Sequence, residues 1–294
     1  MLKRKGFILL ALLLIVSLVA VACGQGEESA PNEEQNQGET PSEGTEENTN
    51  ETETQVLKVG ATAVPHAEIL EEVVAPLLEE QGISLEVTVF QDYILPNKNL
   101  FEGDLDANFF QHIPYLTSQN EEHNYGLVEV AGVHIEPMGG YSDRYDSIED
   151  LPDGALILHP DAVSEEGRVL ALLESKGLIT LAEGVGFYGT VRDIVDNPHN
   201  FEFRGVEAAT LAQAYVDGDL AIINTNYALQ AGLSPAEDSL ILEEPDNNPY
   251  VNVLAALEAN QNDEGIQKLA EALNSPEVRD YILEKYEGNV IPAF

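Results

Sequence analysis

The chain of 294 residues carries 53 Asp plus Glu against 13 Lys plus Arg, a formal charge of −40 at pH 7, with 44% hydrophobic residues and one cysteine. That length and apolar content suffice for two domains or one large one with a sizeable core, and they exclude disorder of the whole. The acidity removes the Lys and Arg contacts from which nucleic-acid binding draws most of its affinity, whereas a zwitterion or a cation meets no opposing field; a single cysteine excludes a disulfide framework or a cysteine-based zinc cluster. In chain order, Lys3, Arg4 and Lys5 come first, followed by an apolar run from Phe7 to Ala22 that only Ser17 interrupts. The run is slightly short for a spanning helix and ends in small residues, the form of a signal peptide over 1–22.

Leu18-Val19-Ala20-Val21-Ala22-Cys23 resembles a bacterial lipobox, with Ala20 standing where Leu, Val or Ile is preferred. The resemblance implies a lipidated Cys23 that anchors the protein to the outer face of the cell membrane, where several acyl chains hold far more firmly than one. Gly24 to Gln55 follows, with ten Glu, no Lys or Arg, and Ala30 as its only aliphatic side chain. Such a segment cannot build a core and reads as a disordered acidic tether over 23–55, roughly 30 Å from end to end as a coil.

From Val56 the composition changes. Val56 to Ala61 reads as a strand, and Ile69, Leu70, Val73, Val74, Leu77 and Leu78 recur at helical spacing up to Gln81-Gly82, with Pro76 placed to kink the helix. Leu85, Val87 and Val89 alternate as a second strand, so the opening is β-α-β with a parallel pair. Glu102-Gly103-Asp104-Leu105-Asp106-Ala107-Asn108 is similar to Asp217-Gly218-Asp219-Leu220-Ala221-Ile222-Ile223-Asn224, each a helix end turning into a strand, which suggests two lobes built on one plan. Between them lie a strand at 155–158, a helix over about 164–176 and another over about 208–216. A late strand begins after Pro249. Two amphipathic helices close the chain, with Ile266, Leu269, Ala270 and Leu273 on one and Val278, Ile282 and Leu283 on the other. Ligands of open parallel sheets bind beyond the carboxyl ends of the strands, so two facing sheets predict a hinged α/β clamp with a cleft between lobes.

Signals for catalysis or cofactors are weak, and no enzyme activity, cofactor or resident metal is expected. Gly184-Val185-Gly186-Phe187-Tyr188-Gly189 fits G-x-G-x-x-G but lacks the strand before it, and reads as a glycine-rich surface loop. No P-loop, G-x-S-x-G or H-E-x-x-H is present. The six histidines include no i, i+4 pair, leaving only a spatial metal site around His112 and His159 as an alternative.

Phe90-Gln91-Asp92-Tyr93-Ile94-Leu95-Pro96-Asn97, Gly103 to His112 and Pro114-Tyr115-Leu116 resemble the NlpA/MetQ family of methionine-binding lipoproteins. The likeness runs on through Gly140-Tyr141-Ser142, Gly167-Arg168, Ala221 to Thr225 and Pro249-Tyr250-Val251-Asn252, over essentially all of 56–294. It implies a two-lobed periplasmic-binding-protein clamp of type II-like form that captures methionine, L or D, or a close relative and delivers it to an ABC permease. It further implies one lobe from 56–134 plus 250–294 and the other from 135–249.

By the family pattern, Tyr93, Phe110, His112 and Tyr115 surround the ligand's apolar side chain, Arg168 grips its carboxylate, and Asn224 and Asn252 contact its carboxylate and ammonium. A guanidinium fork suits a carboxylate and aromatic rings suit a thioether. Salt bridges from Arg168 to Glu165 or Glu166 are the local structural alternative. The loop Pro160-Asp161-Ala162-Val163-Ser164-Glu165 departs from the family's Pro-Asn-Asp-Pro-Thr-Asn type, which bears on the ligand read. The alternatives are the same clamp holding another amino acid, a short peptide or a metal ion, or a surface adhesin or structural lipoprotein with an idle cleft.

Overall fold

The structure, a computed structural model, describes residues 54–294. The expected signal segment, Cys23 and the tether up to residue 53 lie outside the described residues. Thirteen strands follow in chain order: β1 (Gln55–Thr62), β2 (Ile83–Phe90), β3 (Ala107–His112), β4 (Leu127–Ile135), β5 (Gly139–Tyr141), β6 (Leu156–Pro160), β7 (Thr180–Leu181), β8 (Ile194–Asp196), β9 (Glu202–Val206), β10 (Leu220–Ile223), β11 (Ile241–Leu242), β12 (Val251–Leu257) and β13 (Ile291–Pro292). Gln55, assigned to the tether by composition, already pairs with Ile83.

Two sheets organise the chain on the same plan. The first has the order β13-β4-β12-β3-β1-β2, with β3, β1 and β2 parallel and β12 antiparallel to β3. In the second, ordered β11-β5-β10-β6-β9, strands β10, β6 and β9 are parallel and β5 runs antiparallel to β10. Thus β3 and β10, the two strands that follow the similar Gly-Asp-Leu turns, hold equivalent places. Every residue of β3 and of β10 is buried, as expected of strands covered on both faces. The result is a two-lobed α/β clamp whose parallel strands point their carboxyl ends toward a shared cleft.

Local chemistry explains most of the helices. The apolar stripe Ile69, Leu70, Val74 and Leu78 is buried against β1 and the helix Glu264–Leu273. Pro76 does not kink it as expected. The turn over Leu70–Val74 is widened, with Ala75 N–H bonded to the Leu70 carbonyl, and Pro76 falls in the first turn of the segment Ala75–Glu79, where its missing N–H costs little. Gly82 ends the connection at φ +76°, a left-handed turn that favours glycine. In the last helix, Pro276–Tyr286, Val278, Ile282 and Tyr286 form the buried i, i+4, i+8 stripe, whereas Leu283, expected on that face, is 55% exposed. The G-x-G-x-x-G segment is a loop with a short turn at Gly186–Tyr188, and Gly184 and Gly186 both have positive φ. Among the described residues no helix is long and apolar enough to cross a membrane.

Candidate functional site

At the carboxyl end of β3 the chain carries Phe110, Gln111 and His112 directly into the helix Ile113–His123. His112 caps that helix. Its Nδ1 accepts from the Tyr115 N–H at 3.1 Å, which fixes the tautomer and leaves Nε2–H free to donate across the cleft. Behind them, Asn97, Asn108 and Gln111 exchange four side-chain hydrogen bonds of 2.7–2.9 Å, a satisfied amide cluster that stiffens the strand end. Tyr93, from the turn after β2, meets Phe110 and Tyr115 at ring-centroid distances of 5.9 and 5.8 Å, and Phe110 and Tyr115 are 6.1 Å apart.

The opposite wall comes from the second sheet. The helix Val163–Ser175 starts just beyond β6 and places Glu165 and Arg168, i and i+3, on one buried face. Glu165 and Glu166 also lie in the first turn, where the helix dipole favours them. Asn224 to Asn226 leave the carboxyl end of β10. Asn252 on β12 and Glu136 just after β4 sit where the chain passes between sheets.

These groups form one cleft, lined by all seven residues expected to contact ligand: Tyr93, Phe110, His112, Tyr115, Arg168, Asn224 and Asn252. Hydrogen bonds already span it. His112 Nε2 donates to Glu165 Oε1 at 2.6 Å, and Tyr93 Oη donates to Asn226 Oδ1 at 2.5 Å. Burial alone would raise the Glu165 carboxyl, but His112, Arg168 and the Asn224 amide at 2.9 Å outweigh it and pull its pKa down to about 2. In the lining, two buried side-chain atoms have no hydrogen-bond partner, the acceptor Asn224 Oδ1 and the donor Asn226 Nδ2.

Arg168 is held more firmly than a local ion pair with Glu165 or Glu166 would hold it. Its Nε and Nη2 donate to the two oxygens of Glu243 at 3.0 and 2.6 Å, and Nη2 also reaches the Glu136 carbonyl at 2.8 Å. The guanidinium carbon lies 4.2 Å from the centre of the Tyr250 ring. Burial would lower its pKa, yet Glu243 raises it further, so the charge is permanent. Nη1 makes only a 3.9 Å approach to Glu165, which leaves two donor hydrogens for another anion.

A second cluster lies under Asn252. His66 and His134 each bring Nε2 to Glu136 Oε1, at 3.3 and 2.8 Å, and His66 also touches Asn252 Oδ1 at 3.1 Å and Thr62 Oγ1 at 2.7 Å. With its amide oxygen taken, Asn252 has Nδ2 left to offer. Burial drives the two imidazoles to pKa values of about 4 and 3, so they are neutral near pH 7, and it pushes the Glu136 carboxyl up. The three side chains offer ligand atoms within 4.8 Å of one another, the one such group among the described residues. Sequence reasoning looks to His112 and His159 instead. His159 turns away to its neighbour's carbonyl, Pro160 O, at 2.9 Å and does not line the cleft.

The family model for NlpA lipoprotein matches residues 57–294. The chain belongs to the NlpA lipoprotein family. It is 42% identical over 295 residues, 98% of this chain and 99% of the relative, to the methionine-binding lipoprotein MetQ of Bacillus subtilis (strain 168). To the D-methionine-binding lipoprotein MetQ of Escherichia coli (strain K12) it is 35% identical, covering 96% of this chain and 95% of that one. Among solved structures, a nutrient-binding protein from Burkholderia cenocepacia bound to methionine superposes with a TM-score of 0.78 at 39% identity, covering 81% of this chain and 100% of that one. As a member of this lipoprotein family, the chain has the two-lobed binding fold seen in those neighbours.

Sequence reasoning misses Gln111, Glu136, Thr225, Asn226 and Glu243, and treats Glu165 only as an ion-pair partner. Glu136 carries a usable signal, because His134-Ile135-Glu136 places two ionisable groups two residues apart at a strand end. Glu243 carries none, being 75 positions from Arg168 in a chain rich in carboxylates.

Proposed function

We propose that this protein is an extracytoplasmic substrate-binding lipoprotein of an ABC importer that holds methionine, L or D, or a close relative, and that it is not an enzyme. One observation carries the reading: a single buried cleft sets an aromatic group, Tyr93, Phe110 and Tyr115, beside an arginine with two uncommitted donor hydrogens and an asparagine with an unpaired oxygen. Those are the complements of a thioether, a carboxylate and an ammonium. Sulfur against aromatic rings contributes about 0.3–1.5 kcal/mol per contact. In this reading Arg168 Nη1 and the Asn252 amide take the carboxylate, Asn224 Oδ1 takes the ammonium, and His112 closes the side-chain end.

The lobes would be 56–134 with 250–294, and 135–249. A ligand touching Tyr93, Phe110 and Tyr115 on one and Arg168 and Asn224 on the other binds the closed form better than the open one, so it shifts the population toward closure. A permease then distinguishes loaded from empty protein by shape. Anchoring through a lipid on Cys23, with an acidic tether repelled by anionic headgroups, keeps the clamp at the membrane but off its surface. Titration calorimetry with L-Met and D-Met tests the proposal: a saturable 1:1 heat that disappears in Asn224→Ala supports it, and no heat with any amino acid or short peptide refutes it.

A further inference from the structure

His66 and His134 do not line the cleft, yet both are buried just beneath it and both aim Nε2 at the same carboxylate oxygen, Glu136 Oε1, at 3.3 and 2.8 Å. Asn252 Oδ1 joins them, 3.1 Å from His66 Nε2. Two imidazole nitrogens, a carboxylate oxygen and an amide oxygen thus converge, and the imidazole and carboxylate atoms all lie within 4.8 Å of one another. Ligand atoms about 2.0–2.1 Å from a zinc ion stand about 3.3 Å apart in a tetrahedron and about 3.0 Å apart in an octahedron. The three separations here, 2.8, 3.1 and 3.3 Å, already match such edges to within about half an ångström.

Atoms turned away from the centre are held in place. His66 Nδ1 lies 2.7 Å from Thr62 Oγ1, and when Nδ1–H donates to that hydroxyl the Nε2 lone pair points inward. The Asn226 N–H donates to Glu136 Oε2 at 3.1 Å, which leaves Oε1 as the inward oxygen. Outer partners of this kind orient metal ligands and raise their basicity. Burial keeps both imidazoles uncharged near pH 7, so no imidazolium has to lose a proton before a metal binds. Among the described residues no lysine or arginine pairs with the Glu136 carboxylate, since Arg168 turns to the carboxylate of Glu243 and touches Glu136 at its backbone carbonyl. A buried carboxylate that meets only neutral rings and an amide N–H lacks a full counter-charge, which a divalent cation supplies.

We infer that His66, His134 and Glu136, with Asn252 Oδ1 as a fourth ligand, form a binding site for one divalent transition-metal ion of the zinc type. Two imidazole ligands disfavour magnesium and calcium, which take oxygen donors. Glu136 and Asn252 line the cleft, so the ion enters through its floor and then lies below it, with Asn252 Nδ2 still facing the amino-acid site. His134 and Glu136 flank the exit from β4, and Asn252 stands on β12, so a single ion ties together both passages of the chain between the sheets.

Titration of the full chain in detergent with zinc chloride tests the site, after dialysis against EDTA and with magnesium in large excess to occupy the many acidic side chains. The wild-type protein takes up one zinc ion per chain, and cobalt(II) in its place gives the visible absorption of an imidazole-ligated ion. His134→Gln loses this uptake. Thr62→Val, which keeps the side-chain shape and removes the hydroxyl from His66, weakens it about 10–100-fold. A wild-type protein that holds no zinc against magnesium overturns the inference. So does zinc held as tightly by either variant as by the wild type, which assigns the binding to surface carboxylates. Because the wild-type stoichiometry and Thr62→Val each decide on their own, a poorly folded His134→Gln does not rescue the idea.

Discussion

Replacing Glu243 with Ala removes the carboxylate that holds Arg168 at Nε and Nη2, in a setting where the two side chains are 12% and 4% exposed. The guanidinium then keeps only the Glu136 carbonyl, the Tyr250 ring and the distant Glu165. Breaking a buried pair from one side costs about 3–5 kcal/mol, because the remaining charge stays desolvated and uncompensated. Arg168→Ala strands Glu243 in the same way, although that side chain sits nearer to water and its cost falls toward the lower figure. Since both variants break one interaction, Arg168→Ala/Glu243→Ala loses about as much as either alone, a coupling of about 3 kcal/mol. Urea unfolding of the wild type, both single variants and the double variant measures the cycle. Costs that add to within about 0.5 kcal/mol refute the claim that the two side chains act as one unit. The result also governs how Arg168→Ala is read in binding assays, because loss of ligand affinity in that variant combines a missing carboxylate partner with a loosened crossing between the lobes.

Three further outcomes are expected. In Gly140→Ala the new methyl would approach Ile241 Cγ1 to 2.7 Å and Ile222 Cδ1 to 2.9 Å in the second sheet, so overpacking lowers stability by about 1–3 kcal/mol, read as a lower Tm. Acid destabilises the protein in two stages. His66 and His134 have folded pKa values below the usual 6.5, so the unfolded chain binds their protons first and stability falls from about pH 6.5 toward 4 and 3; Glu165, depressed from 4.5 to about 2, adds a loss between those values. A pH series of thermal melts checks this, and His134→Gln flattens the upper part of the slope. Cys23→Ser moves the protein from the membrane fraction to the soluble fraction and abolishes incorporation of labelled palmitate.

The β-α-β opening is legible because Leu85, Val87 and Val89 alternate cleanly and Ile69 to Leu78 repeat at helical spacing. Strand β4 escapes notice for a physical reason: its pairing with β12 shifts register twice, so burial along Leu127–Ile135 does not alternate. Strands of two or three residues, such as β5, β11 and β13, carry too little pattern to be seen at all. In the site, Tyr93, Phe110, His112, Tyr115, Arg168, Asn224 and Asn252 are singled out by resemblance, since periodicity alone does not separate a cleft ring from a core ring. The structure adds what holds them. His112 is a helix cap, and Arg168 is fixed by Glu243, a contact that the local i, i+3 rule misassigns to Glu165. The His66, His134 and Glu136 cluster depends on the chain just after β1 meeting the end of β4, which no linear spacing encodes.

A crystal structure of the protein grown with L-methionine tests the central claim most directly. The account predicts density in the cleft with a carboxylate about 3 Å from Arg168 Nη1, an ammonium at Asn224 Oδ1 and the side chain against Phe110 and Tyr115. An empty cleft at saturating ligand, or ligand bound away from Arg168 and the rings, contradicts it.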